Sequence, residues 1–212
     1  MKLEPTGPAV RSGARRPSED AIFQAALAAF GARGFNGSSM REIAQGANTS
    51  LSNLYNYVPA KADLLAWVLK HANDGLLAQL EGALASSTES AADRLSSVVR
   101  AYVGWSVAHR TAGLVAISEF RYLEGAQRKD VVAARDRTER IFTDVVQEGA
   151  DSGEFATPFP HEAARNIVLL CSGLAAWYQP GRGRTASEIA DEQARLALAM
   201  VEARLTPVTR RR

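Results

Sequence analysis

Between Ser38 and Lys61 the chain concentrates small hydrogen-bonding side chains, Ser38, Ser39, Ser50, Ser52, Asn53 and Asn56, followed by Tyr57 and a lone cation, Lys61. Asparagine can pair bidentately with an adenine edge, serine adapts to donor or acceptor, and lysine neutralises phosphate. These groups suit recognition of a polar polymer rather than bond making. Nothing else in the chain supplies a reaction centre. His71, His109 and His161 have no metal-ligand spacing with one another or with Cys171, and there is no Gly-rich phosphate loop, nucleophile elbow or cysteine pair. No catalytic residue, metal site or cofactor is therefore expected.

The elements that must hold these side chains follow from the same stretch. Met40, Ile43, Ala44 and Ala47 recur at helical spacing, and Ser39 with Glu42 three residues later forms a capping-box pattern at the start. Asn48, Thr49 and Ser50 break the pattern. Asparagine tolerates the left-handed conformation that ends a helix, and Ser50 suits the next N-cap. A second short helix, Leu51 to about Tyr57, then turns Leu51, Leu54 and Tyr55 inward and leaves Ser52, Asn53, Asn56 and Tyr57 outward. Pro59 stops it and suits the start of a third. Two short helices at an angle, joined by a turn, form a helix-turn-helix, whose second helix can enter a major groove. Lys61 falls in the first turn of the third helix, where a cation opposes the helix dipole. A stabilising role is not expected of it, and phosphate contact is.

The run Leu54-Tyr55-Asn56-Tyr57-Val58-Pro59-Ala60-Lys61, followed by Asp63, Leu64 and Leu65, resembles the DNA-binding ending of the TetR family of bacterial transcriptional regulators. Ala21 to Phe35, with Asn36, Gly37, Ser38, Ser39 and Met40 after it, is similar to that family's first helix and glycine turn. The resemblance covers about the first third of the chain. Asn48, Leu51 and Val58 stand where the family usually has Gly, a polar residue and Phe, so no relative's operator sequence can be copied. The resemblance implies that Ser38, Ser39, Tyr57 and Lys61 hold phosphates, while Ser50, Ser52, Asn53 and Asn56 meet base edges. It implies a homodimer on a palindromic operator, and release by a small-molecule effector.

Length and composition agree. A chain of 212 residues exceeds one small DNA-binding module, and 46% hydrophobic with 7% aromatic residues favours an all-α fold. The expected division is a basic arm at 1–16, a helix-turn-helix domain at 17–60, a larger ligand-binding and dimerisation domain at 61–206, and a basic tail at 207–212. A net charge of +2 is modest for a nucleic-acid binder, which leaves local placement to supply affinity, with Arg11, Arg15 and Arg16 in the arm as candidates. No secretory signal and no membrane span is read, and a cytoplasmic protein is expected. Cys171 reads as a small buried hydrophobe.

Further helices are read at 60–86, 91–109, 111–123, 128–151, 161–178 and 187–205. The helix at 161–178 is apolar on two faces, and with the last helix it suits half of a four-helix dimer interface. Candidate ligand residues lie at helical spacing: Trp67 and His71, then Tyr102, Trp105 and His109, then Phe120, Arg121 and Tyr122, with Trp177 further on. Aromatic groups with a few polar ones suit an apolar ligand with a polar head. The stretch from Ile117 to Tyr178 looks loosely like regulatory domains that answer to acyl-CoA thioesters. That likeness implies an acyl-CoA effector, with Arg182 and Arg184 near a CoA phosphate. The competing reading is a helical protein-binding adaptor that keeps the helix-turn-helix only as scaffold.

Overall fold

The computed structural model describes residues 19–87, 90–179, 181 and 183–204. Arg11, Arg15, Arg16, Arg182 and the tail at 207–212 lie outside the described residues. Helix α1, Glu19–Gly37, opens on Glu19 and Asp20, carboxylates that favour the positive end of a helix dipole, and buries Ile22, Phe23, Ala26, Leu27, Ala29 and Phe30. It kinks at Gly34, whose φ of 69° and ψ of 176° an L side chain rarely adopts. Helix α2, Met40–Gly46, carries the full capping box between Ser39 and Glu42. Asn48 then takes φ 50°, and the Thr49 N–H returns to the Ala44 carbonyl at 2.9 Å, which closes the end of α2. Helix α3, Leu51–Tyr57, starts on Ser50 and stops at Val58, ahead of Pro59. Leu54 alone in α3 is fully buried, an anchor that contributes about 1.5–3 kcal/mol.

Helix α4, Lys61–Ala85, runs from the small helices into the larger body, where it meets α5, Ala91–Ala108, α6, Arg110–Ser118, and α7, Gly125–Asp151. A 3-10 turn, Phe120–Tyr122, follows α6. Helix α8, Pro160–Ser172, continues after Gly173 as a short α9, Leu174–Trp177, and α10, Ala186–Met200, begins on a second capping box between Thr185 and Glu188. Helix α10 packs chiefly on α5. Two apolar cores result. One joins α1 to α3 with the first half of α4 and with Ala112, Val115, Leu123 and Val131. The other joins the second half of α4 to α5, α7, α8 and α10 around Phe142, Ile167 and Leu174.

Three expected helices are shortened or interrupted, and the one expected at 128–151 begins earlier, at Gly125. The segment 111–123 is helical only to Ser118, because the buried carboxylate of Glu119 turns to the Phe35 N–H at 2.7 Å and the chain tightens into the 3-10 turn. The segment 161–178 is interrupted at Gly173. The last helix ends at Met200, where Glu202 takes φ 52° and Ala203 pairs with Phe155 in an isolated bridge. Close approach requires glycine at position 113, where a Cβ would lie 2.7 Å from that of Ala175. Gly149 is equally confined, since a Cβ there would lie 2.2 Å from the Phe155 ring.

The start of α5 is held from a distance. Ser90 makes no side-chain cap; instead Glu154, from the loop after α7, accepts from the Ser90 hydroxyl at 3.0 Å and from the backbone N–H groups of Ala91 and Ala92 at 3.2 and 3.4 Å. Desolvation alone would raise the Glu154 pKa, but these hydrogen bonds outweigh it and hold the group below its ordinary value. A depressed folded-state pKa stabilises above the unfolded value, and that stability is lost as pH falls through the folded one. Glu154→Gln should therefore lower stability at neutral pH and make the acid limb of a urea-unfolding pH series shallower; parallel limbs in the two proteins would contradict the assignment.

Candidate nucleic-acid interface and ligand cavity

Helix α3 projects from the small domain with only one side anchored. Ser52, Asn56 and Tyr57 are exposed, as its position beyond α2 requires. Tyr55, expected to point inward, is 47% exposed and joins them, because the core beneath α3 reaches no further than Leu54 and the edge of Leu51. The Ser50 hydroxyl accepts from the Asn53 N–H at 3.0 Å, and the Asn53 amide donates to the Thr49 hydroxyl at 2.8 Å. Those two side chains brace the helix start, while Ser52, Asn56 and Tyr57 offer the outward face.

The phosphate-contact expectations divide. Ser39 is exposed, and its hydroxyl and backbone N–H both engage Glu42, which also pairs with Arg33 at 3.0 Å. Ser38 is buried, and its hydroxyl donates to the Phe35 carbonyl at 3.0 Å, so it closes the turn after α1 rather than facing outward. Lys61 corrects the expectation that it would have no stabilising role. Its ammonium donates to the carbonyls of Phe35 at 2.7 Å and Ser38 at 3.0 Å, and lies 4.5 Å from the centre of the Phe35 ring. Dipole repulsion at a helix start costs about 0.3–1 kcal/mol. Hydrogen bonds from a charged donor contribute about 1.5–3 kcal/mol, so the carbonyl contacts win.

A cavity of ≈ 320 Å³ opens among α4 to α8. It brings together Tyr102, Trp105 and Phe120 from the expected ligand set, with Leu69, Leu76 and Val168 as apolar wall. The other expected ligand residues lie outside it. Trp67 and His71 stack on each other at 5.4 Å and pack on Phe23 of α1, at 6.1 and 4.7 Å, because they lie on the face of α4 turned to the small domain. Arg121 is exposed and rests over Tyr122 at 5.0 Å. Trp177 is 49% exposed and, with Tyr178 and Arg184, lines a separate surface groove. Arg184 is paired with Glu192. His109, exposed, stacks on Trp105.

Several cavity residues had no sequence signal. Asn73, Ser106, Arg135 and Thr138 line it. Asn73 donates to the Ala134 carbonyl at 2.7 Å and accepts from Thr138 at 3.3 Å, so that pair is satisfied within the wall. Burial lowers the Arg135 pKa, with nearby Tyr102 opposing the shift. Burial likewise drives the Tyr102 hydroxyl well above its ordinary value, and pushes the Cys171 thiol up to about 12, which leaves that thiol protonated and inert.

Two family descriptions match the chain: "Bacterial regulatory proteins, tetR family" over residues 22–68, and "Tetracyclin repressor-like, C-terminal domain" over residues 88–201. The chain is 24% identical over 182 residues to the HTH-type transcriptional repressor KstR2 of Mycolicibacterium smegmatis, covering 84% of this chain and 88% of that protein. Among solved structures, a tetR-family regulatory protein from Rhodococcus RHA1 superposes with a TM-score of 0.79 at 29% identity, over 86% of this chain and 95% of that one. AibR, solved with isovaleryl coenzyme A and operator DNA, superposes with a TM-score of 0.75 at 19% identity, over 87% and 98%.

The geometry separates bracing side chains from exposed ones, and stability measurements can follow that division. Lys61→Met should lower the free energy of urea unfolding by about 1–3 kcal/mol through the loss of its charged hydrogen bonds. Ser52→Ala should remain within about 0.5 kcal/mol of the parent. Equal stability of all three proteins would show that the carbonyl contacts of Lys61 contribute nothing.

Proposed function

From the premise that this chain belongs to the tetR family of bacterial regulatory proteins, and is a DNA-binding transcriptional regulator, we propose a repressor that binds a palindromic operator as a homodimer. An effector of the acyl-CoA class, whose apolar acyl chain enters the cavity among α4 to α8, releases it. The observation that carries the reading is the pairing of a solvent-exposed polar α3 face with an apolar cavity on the helix that leads away from it. Asn56 and Ser52 meet base edges, Tyr57 and Ser39 approach phosphates, and Lys61 braces the start of α4 on the turn before α2. The likeness of fold to AibR, solved with isovaleryl coenzyme A and operator DNA, supports an acyl thioester as the effector class. Working on DNA places the protein in the cytoplasm. It acts by binding and not by catalysis.

The dimer surface proposed is the outer side of α8 and α10. Phe159, Leu169 and Leu196 are 64%, 60% and 51% exposed there, a set of large apolar side chains that a monomer would leave in water. A two-fold pair also places two α3 helices for half-sites about 34–36 Å apart or somewhat more.

Release follows if the effector favours one orientation of α4 over another. The cavity wall contains Ala116 and Phe120, on either side of Glu119. Glu119 holds the Phe35 N–H, and Tyr122 stacks on the Phe35 ring at 5.3 Å. A shift of this wall is thus passed directly to the turn that Lys61 grips.

A gel-shift titration on DNA from upstream of the protein's own gene, against unrelated duplex and over several salt concentrations, tests the reading. Specific retention should fall steeply with salt. Asn56→Ala should lose about 1–3 kcal/mol of discrimination between the two duplexes. Failure to bind either duplex at low salt would reject the regulator reading in favour of the protein-binding adaptor.

A further inference from the structure

Two donors that line the cavity, one on α5 and one on α7, are not fully used by the protein. Tyr102 is only 8% exposed and lines the cavity, yet its hydroxyl makes no hydrogen bond to any described residue. The Tyr102 oxygen is not sealed off from the cavity, so a ligand oxygen there can complete it. Across from it on α7, the Arg135 guanidinium uses one N–H on the Ala116 carbonyl at 2.8 Å and rests 4.2 Å over the Phe120 ring. Among the described residues no carboxylate pairs with it. Phe120 carries a second guanidinium, Arg128, at 4.3 Å, so two like charges share one ring. The carboxylate that does line the cavity, Glu139, is directed to Arg165 at 3.5 Å. Thr138 and Asn73 satisfy each other. The cavity therefore has a surplus of donors and positive charge at one place, surrounded by aliphatic wall, with exposed Ile117 and Leu169 among its lining residues.

We propose that Tyr102 and Arg135 form an acyl-oxygen subsite, donating hydrogen bonds to the carboxylate or thioester carbonyl of an effector whose apolar chain fills the rest of the cavity. The subsite rests on the acyl-effector reading above and specifies which atoms of the effector are recognised. Both sources present the same chemistry, an acyl oxygen at the head of an apolar chain. A carboxylate would compensate the Arg135 charge in full, whereas a thioester carbonyl would accept from the same donors while its CoA portion extends out of the cavity. Guanidinium forks suit planar, two-oxygen acceptors, which makes Arg135 the group that tells the two apart.

Calorimetric titration of octanoate and of octanoyl-CoA into the full-length protein, Tyr102→Phe and Arg135→Gln tests this. Tyr102→Phe keeps the ring packed at 6.0 Å from Phe142 and removes only the hydroxyl, so its thermal unfolding and its effector-free operator binding should match the parent. It should nonetheless weaken whichever probe binds by about tenfold, the effect of one lost hydrogen bond to a buried acceptor. Arg135→Gln should abolish octanoate binding and weaken octanoyl-CoA by a smaller factor if the thioester is the source. Unchanged affinity in both variants would overturn the subsite and leave the acyl-effector reading standing. No binding of either probe by the parent protein would overturn that reading and the subsite together.

Discussion

Helix α4 belongs to two cores at once, and the rest of the molecule is arranged around that constraint. Leu64, Leu65, Val68, Leu69 and Ala72 are buried with the DNA-binding helices, whereas Leu76 and Leu80 are buried with the larger body. A straight helix of 25 residues is roughly 37 Å long, so a small tilt at one end is a larger displacement at the other. Close-packed interiors resist continuous deformation, which converts such a tilt into a choice between discrete packings. The N-terminal end of α4 cannot drift independently of the α1–α2 turn, because Lys61 holds the carbonyls of Phe35 and Ser38 there.

A second mechanical link runs beside α4. The break in helix at Glu119 looks, from the sequence, like a fault in an otherwise continuous 111–123 segment. In the structure it serves two sites. It frees Phe120 to line the cavity, and it places the Glu119 carboxylate on the Phe35 N–H and the Tyr122 ring on Phe35. Gly34 is part of the same joint. With φ at 69°, a Cβ there would come 3.4 Å from the nearer Glu119 oxygen. Phe35 is thus gripped by α4 through Lys61 and by the end of α6 through Glu119 and Tyr122, and any rearrangement of the cavity wall must act on it.

The legible part of the fold was the part written in local chemistry. The Ser39–Glu42 box, the left-handed Asn48, the Ser50 cap and the stop before Pro59 are interactions within a few residues, and the bounds of α3 follow from them. What the sequence hid depends on which side of a helix meets which neighbour. Trp67 and Trp105 have the same appearance in the chain, but one packs on Phe23 and the other lines the cavity. Lys61 departs from its local expectation because the dipole is visible locally, whereas the carbonyls that outweigh it lie 23 and 26 residues away. Arg135 sits in a charged stretch of α7 where nothing distinguishes an inward guanidinium from a solvated one.

The bracing of α3 also limits what one subunit can read. Ser50 and Asn53 are committed to the helix start, which leaves the exposed Asn56, Ser52 and Tyr57 as the set proposed for the groove. A bidentate asparagine discriminates by about 1–3 kcal/mol, while specific recognition typically needs about 4–10 kcal/mol over non-specific binding. One bidentate asparagine in one copy of α3 falls short of that range. Two copies in fixed register approach the lower bound, and the remainder must come from the shape and deformability of the duplex between half-sites. A reader with so few base contacts depends strongly on the spacing of its two α3 helices. On the proposed reading, that dependence would let an effector on the wall of the ≈ 320 Å³ cavity switch binding off without touching the interface itself.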